Sequence, residues 1–170
     1  MRRSIYFKKK GNAAIEVMLF VVIIFSLALL TQLMYPVFTD MKNSVVDDPD
    51  IAQIGKDRIN NLHGRYDTIF DNAIAIIFIF VWIGTLISAF FVDTHPVFFV
   101  LTIIILLVVF FVGAILGNTY EEIIADGGEL EANSSKFSIT NFIFGHLLES
   151  MIFIGISISI TLYAKFRLLT

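Results

Sequence analysis

The sequence predicts an all-α integral membrane protein with four transmembrane helices and an additional amphipathic helix in the first loop. Three observations carry this. Of the 170 residues, 57% are apolar and only 16% are charged, against roughly 45–50% and about 25% in soluble domains. The mean hydropathy is +0.84. Four largely apolar stretches reach the roughly 20 residues that a helix needs to cross a 30 Å hydrocarbon core. The same composition excludes a disordered chain, and the absence of cysteine excludes a disulfide scaffold. A formal charge of −3 argues against a dedicated nucleic-acid binder.

The first stretch, Ala13 to Tyr35, is interrupted only by Glu16. The second, Ala73 to Val92, and the third, Val97 to Gly117, carry no charge. The fourth, Asn141 to Ala164, carries His146 and Glu149. The second and third are apolar at almost every position, which is the pattern of a helix in lipid and not of a barrel strand. Residues 154–160 do alternate, but an isolated strand cannot satisfy its backbone in a bilayer, so this segment is read as helix too. All four belong to one transmembrane domain, residues 1–170.

The connections are polar. Residues 36–71 hold seven acids and four bases, and residues 118–140 hold five acids against Lys136 alone. Between the second and third stretches lies only Asp93-Thr94-His95-Pro96, a turn short enough to make them antiparallel neighbours. Pro96 suits the first turn of a helix, where its missing N–H is not needed.

In the first loop, Asp48-Pro49 reads as a helix start. From there Ile51, Ile54, Arg58/Ile59, Leu62, Tyr66 and Ile69/Phe70 recur at spacings of three and four, one face of an amphipathic helix. Gly55 and Gly64 weaken it by about 1 kcal/mol each relative to alanine. Two readings stay open: a helix that binds a partner or the membrane surface, and a helical extension of the second span packed on its own bundle. Gly127-Gly128 marks a flexible point in the second loop.

Basic residues near spans stay on the cytoplasmic face. Arg2, Arg3, Lys8, Lys9 and Lys10 precede the first span, and Lys165 and Arg167 follow the fourth. With four spans both signals place the termini on the cytoplasmic-equivalent side. The basic N-terminus suits anionic headgroups, or nucleic-acid phosphates, at about 1 kcal/mol per residue at an anionic surface.

Residues 8–16 read Lys-Lys-Lys-Gly-Asn-Ala-Ala-Ile-Glu and run into an apolar helix. This resembles the processing site of type IV prepilins and TadE-like pseudopilins, a basic leader ending in glycine with glutamate at the fifth position beyond it. The resemblance implies cleavage after Gly11 and a register role for Glu16, and it covers about 25 residues. The bland alternative is that a basic cluster and an interfacial acid fix the helix at the bilayer boundary. Residues 91–122, with their Asp-Thr-His-Pro turn, look similar to small polytopic proteins of icosahedral viruses and phages that enclose a membrane. That resemblance implies anchoring in a virion inner membrane, with loops or ends meeting the capsid.

Other residues are weaker candidates. His146 and Glu149 sit three apart, as a proton relay or half of a metal site would require, but two ligands are too few. The plainer reading is a wet helix end. His95, Glu121 and Glu122 read as solvated. The pairs Gly84/Ser88, Gly113/Gly117 and Gly155/Ser159 have the small-xxx-small spacing that lets helices approach closely in lipid. Trp82, mid-span, suits packing better than an interfacial belt. No nucleotide loop, nucleophile elbow or HExxH occurs, so neither catalysis nor a cofactor is expected. The expected function is a structural or assembly protein of a membrane, in a homo- or hetero-oligomer with other membrane or capsid proteins. A holin-like pore and a prepilin-like subunit of a pilus or secretion system are the alternatives.

Overall fold

Four long helices, antiparallel in two pairs, build the protein. The computed structural model describes residues 13–91, 96–126 and 128–169. In chain order the helices are α1 (Ala13–Asp47), α2 (Gln53–Phe91), α3 (Pro96–Ala125), α4 (Glu129–Ser134), α5 (Ser138–Gly145) and α6 (Leu147–Leu169). Among the described residues there is no strand. α1, α2, α3 and α6 are each long and apolar enough to cross a membrane.

Contacts fix the relative directions. Glu16 meets Ser88, Thr31 meets Tyr66 and Thr39 meets His63, so α1 and α2 run antiparallel over their whole length. Gly113 lies against Met151, and Gly155 against Phe110, so α3 and α6 are antiparallel too. The core is a thin seam between these helices: Val17, Val21, Ile24 and Ala28 of α1 meet Ile74, Val109, Phe144, Met151, Ile154 and Ile158. The outer surface is apolar as well. Leu19, Phe80, Val100, Leu107, Phe111 and Ile160 are all exposed. An apolar belt around an apolar seam is what lipid as solvent requires.

The first loop differs from its sequence reading. The polar connection expected from Pro36 onward is mostly helix, because α1 continues through Pro36 to Asp47. A proline inside a helix removes one backbone bond and crowds the carbonyl four residues earlier, at a cost of about 3 kcal/mol. The carbonyl left without a helical donor is that of Gln32; one residue away, the Tyr66 hydroxyl of α2 donates to the Thr31 carbonyl at 3.1 Å and ties this turn to α2. The helix start expected at Asp48-Pro49 falls at Gln53 instead. Asp48 Oδ1 accepts the Asp50 N–H at 2.9 Å, and this turn reverses the chain before α2 begins.

The amphipathic segment is therefore no separate helix but the first half of α2. At 1.5 Å per residue, α1 and α2 are roughly 52 and 58 Å long, well beyond a 30 Å core. About 18 Å of paired helix, the length of α1 beyond Tyr35, projects past the apolar spans. This hairpin uses only part of the expected face: Ile51, Ile59 and Tyr66 are half-buried, with His63, outside that face, joining them against α1, whereas Ile54 (66% exposed), Leu62 (59%) and Ile69 (55%) face outward. Two helices seal one narrow seam, and an apolar stripe wider than that seam stays partly open.

The fourth span also differs. Asn141 to Ala164 is not one helix. It breaks at His146, whose backbone (φ −121°, ψ 34°) leaves the helical region between α5 and α6. In the second loop, α3 runs eight residues past Gly117 to Ala125, and α4 and α5 fold the remainder back across the bundle.

Candidate functional site

The polar side chains inside the bundle collect at one level, where the hairpin leaves the apolar spans. Gln32 stands alone as an amide in the apolar run of α1 and is 1% exposed. Its Nε2 donates to the Tyr120 hydroxyl of α3 at 2.6 Å and lies 3.3 Å from Asn141 Oδ1 of α5. The Tyr120 hydroxyl donates to the same Asn141 oxygen at 2.5 Å, and Asn141 Nδ2 donates to the Ser134 carbonyl at 2.6 Å. One network thus ties α1, α3 and α5 to the end of α4. Phe25, Tyr120 and Phe144 pack around it with ring centroids 5.0–6.4 Å apart. Gln32 Oε1 and Trp82 Nε1 are buried without a hydrogen-bond partner among the described residues. Trp82 packs on Phe153 of α6 at 5.1 Å.

Asp71 makes a second tie. It lies on α2, 5% exposed, and accepts the N–H groups of Ile139 and Thr140 at 2.9 and 2.6 Å and the Thr140 hydroxyl at 2.7 Å. The N-cap residue of α5, Phe137, offers no side-chain cap. A carboxylate from another helix does that work, satisfying orphan donors at the positive end of the helix dipole.

Just outside, Tyr35, Phe38, His63, Tyr66 and Phe137 form an aromatic cluster with centroid separations of 5.3–6.5 Å. Lys136 donates to the Tyr35 hydroxyl at 2.7 Å, and its Nζ lies 4.3 Å from that ring's centroid. His63 Nε2 is 2.9 Å from the Thr39 hydroxyl. Burial, then the nearby charges of Lys42 and Lys136, lower the His63 pKa below its ordinary 6.5, while Asp67 opposes them. Burial raises Tyr66 above the usual tyrosine range, which keeps its hydroxyl a donor.

At the opposite end of the spans, the Ser88 hydroxyl donates to Glu16 Oε2 at 2.8 Å, linking the start of α1 to the end of α2. Beside this pair a groove of about 380 Å³ opens between the two helices.

The expected site residues are distributed as follows. Gly113 and Gly155 lie in the α3–α6 contact. A Cβ on Gly113 would come within 2.9 Å of Met151 Cγ, and one on Gly155 within 2.5 Å of Phe110 Cζ. Gly117 approaches the Phe144 carbonyl, Gly84 faces open space, and the Ser159 hydroxyl bonds the Gly155 carbonyl. His146 and Glu149 are separated by the helix break, and both are exposed. His146 stacks on Phe142 at 4.7 Å, and its Nδ1 is 3.1 Å from the Phe142 carbonyl. Among the described residues no three His, Asp or Glu side chains gather as a metal site. Arg2, Arg3, Lys8, Lys9, Lys10 and Gly11, and the turn at 93–95, lie outside the described residues.

Sequence reasoning missed Gln32, Tyr120, Asn141 and Asp71. Signals existed for two: an amide alone in an apolar run and an acid directly abutting the second span. Chemically the arrangement holds helices together. Its donors and acceptors pair mostly with one another, Gln32 Oε1 being the exception within the network. No family model matches the chain, and no characterised protein or solved structure matches it either.

Proposed function

We propose that this is a non-enzymatic membrane assembly protein, a four-span anchor that holds a rigid helical hairpin out of the bilayer to engage a protein partner. The observation that carries this reading is the projecting pair of α1 and α2, with Ile54, Leu62 and Ile69 exposed along one row. Leu62, next to the His63–Thr39 contact, and Ile54 beyond it stand past the apolar spans, so lipid tails do not cover them, and open apolar side chains in water favour a partner; Ile69 lies at the membrane end of the row. The clasp of Gln32, Tyr120, Asn141 and Asp71 fixes the base of the hairpin to α3 and α5.

Both termini are assigned to the cytoplasmic-equivalent face, supported by the basic residues at each end and by four spans of alternating direction. The acidic hairpin and second loop then face the other way. The assembly implied by the sequence resemblance is the shell around a virion inner membrane. The lipid-facing sides of α2 and α3 show no polar stripe of the kind that lines a water-filled pore.

A photo-crosslinking amino acid at Leu62, with a second at Ile79 in the span as control, tests the proposal in the native membrane. A discrete protein adduct at Leu62, lost in Ile54→Asp, is expected. Lipid adducts at both positions, or prompt dye release from cells making the protein, overturn it.

A further inference from the structure

The groove beside Glu16 has an arrangement that the anchor reading does not use. Its walls are Phe20 of α1 and Ile77, Phe80, Val81, Gly84 and Thr85 of α2, apolar but for Thr85, whose hydroxyl is bonded to the Val81 carbonyl, and among the described residues Glu16 is the single carboxylate at its edge. Gly84 keeps it open, because nothing lies within 4 Å of where a Cβ would stand. The order along the membrane normal matters. Glu16 lies in the first turn of α1, at the end of its apolar run, level with Ser88 near the end of the apolar run of α2. From the level of Ser88 to Ile77 the groove runs about 16 Å along α2, past the middle of its apolar stretch. A carboxylate thus sits at headgroup height above an apolar channel that leads into the hydrocarbon.

We propose that this groove is a binding site for a phospholipid with a primary ammonium headgroup, such as phosphatidylethanolamine. The ammonium donates to the Glu16 carboxylate, and one acyl chain lies along Phe20, Phe80 and Ile77. Three properties select this ligand. The Ser88 bond uses one of the roughly four lone-pair sites of the carboxylate. An ammonium with N–H donors satisfies others at 2.7–2.9 Å, whereas a quaternary choline headgroup has no donor. An anionic headgroup without an amine likewise offers the Glu16 carboxylate no donor. Phe20 and Phe80 are 44% and 68% exposed, so lipid reaches the groove directly from the bilayer. The inference is independent of any partner on the hairpin, which lies at the far end of the spans.

The full-length protein is reconstituted in equimolar phosphatidylethanolamine, phosphatidylcholine and phosphatidylglycerol, extracted in mild detergent, and the retained lipid is counted by native mass spectrometry. At least threefold enrichment of the ethanolamine lipid over both others is expected. Glu16→Gln abolishes the enrichment, Glu16→Asp keeps part of it, and Gly84→Leu, which fills the groove, lowers retention of that lipid while helix content by circular dichroism is unchanged. Equal retention of the three lipids by the unmodified protein overturns the proposal, as does enrichment that survives Glu16→Gln. Efficient disulfide dimerisation of Gly84→Cys in the bilayer also overturns it, because a second copy then occupies the groove.

Discussion

Asp71 holds Thr140 twice, by its backbone N–H at 2.6 Å and by its hydroxyl at 2.7 Å. Because Asp71 belongs to α2 and Thr140 to the first turn of α5, this contact decides where the returning second loop sits on the bundle.

Asp71→Ala therefore strands two backbone donors and a hydroxyl at a buried position. Loss of a cap costs about 1 kcal/mol, and each group left unsatisfied costs about 1–3 kcal/mol. The expected result is a destabilisation of about 2–4 kcal/mol, with faster proteolysis within residues 126–137 and intact membrane insertion. Thermal melting in detergent and limited proteolysis measure it.

Three glycines should rank in sensitivity to alanine. Gly155→Ala meets a phenyl ring at 2.5 and 2.7 Å and forces the α3–α6 pair apart, at about 1–3 kcal/mol. Gly113→Ala meets the flexible Met151 side chain and costs less. Gly84→Ala meets nothing and leaves stability unchanged or slightly raised. Denaturation of the three variants in one detergent checks the order.

Gln32 and Tyr120 should be energetically coupled. Interhelical hydrogen bonds in membranes average about 0.6 kcal/mol with an upper range near 1.7. The double-mutant cycle of Gln32→Leu and Tyr120→Phe should fall in that range. A value near zero would mean that the 2.6 Å bond contributes nothing net.

The hairpin should loosen in mild acid. His63 has a folded-state pKa below its unfolded value of 6.5, so the unfolded state binds more protons as the pH falls below 6.5. The stability contribution of neutral His63 is complete above 6.5 and is lost as the pH drops through the lower folded pKa. Protonation puts a third cation near Lys42 and Lys136. Amide exchange at residues 35–42 and 59–67 should accelerate below pH 6 more than the pH effect on intrinsic exchange explains, and His63→Gln should remove the excess.

The helical spans were legible because hydropathy is a local sum: residues 73–92 and 97–117 announce themselves without reference to neighbours. What lies past their ends was not. Pro36 signals a stop in isolation, and the packing of α1 along α2, to which Tyr66 and His63 contribute from 30 and 27 positions away, is not visible locally. His146 breaks the fourth apolar run, yet nothing adjacent in the sequence marks a break there. The amphipathic period over 51–70 correctly indicated helix but not how much of its stripe a single partner helix would cover. The internal clasp joins residues 69 and 88 positions apart, so its members read singly as an acid beside a span, a lone amide and a tyrosine. Gly113 and Gly155 were recognisable from spacing, whereas Gly84, with the same spacing, borders a groove.

α1 and α2 pass from bilayer to projecting hairpin without a loop between. A load applied at the Asp48–Asp50 turn is consequently carried as tension and bending along two stiff rods and emerges as tilt of the intramembrane bundle, since no slack segment absorbs it. Whatever grips the tip also steers the orientation of the anchor in its lipid sheet.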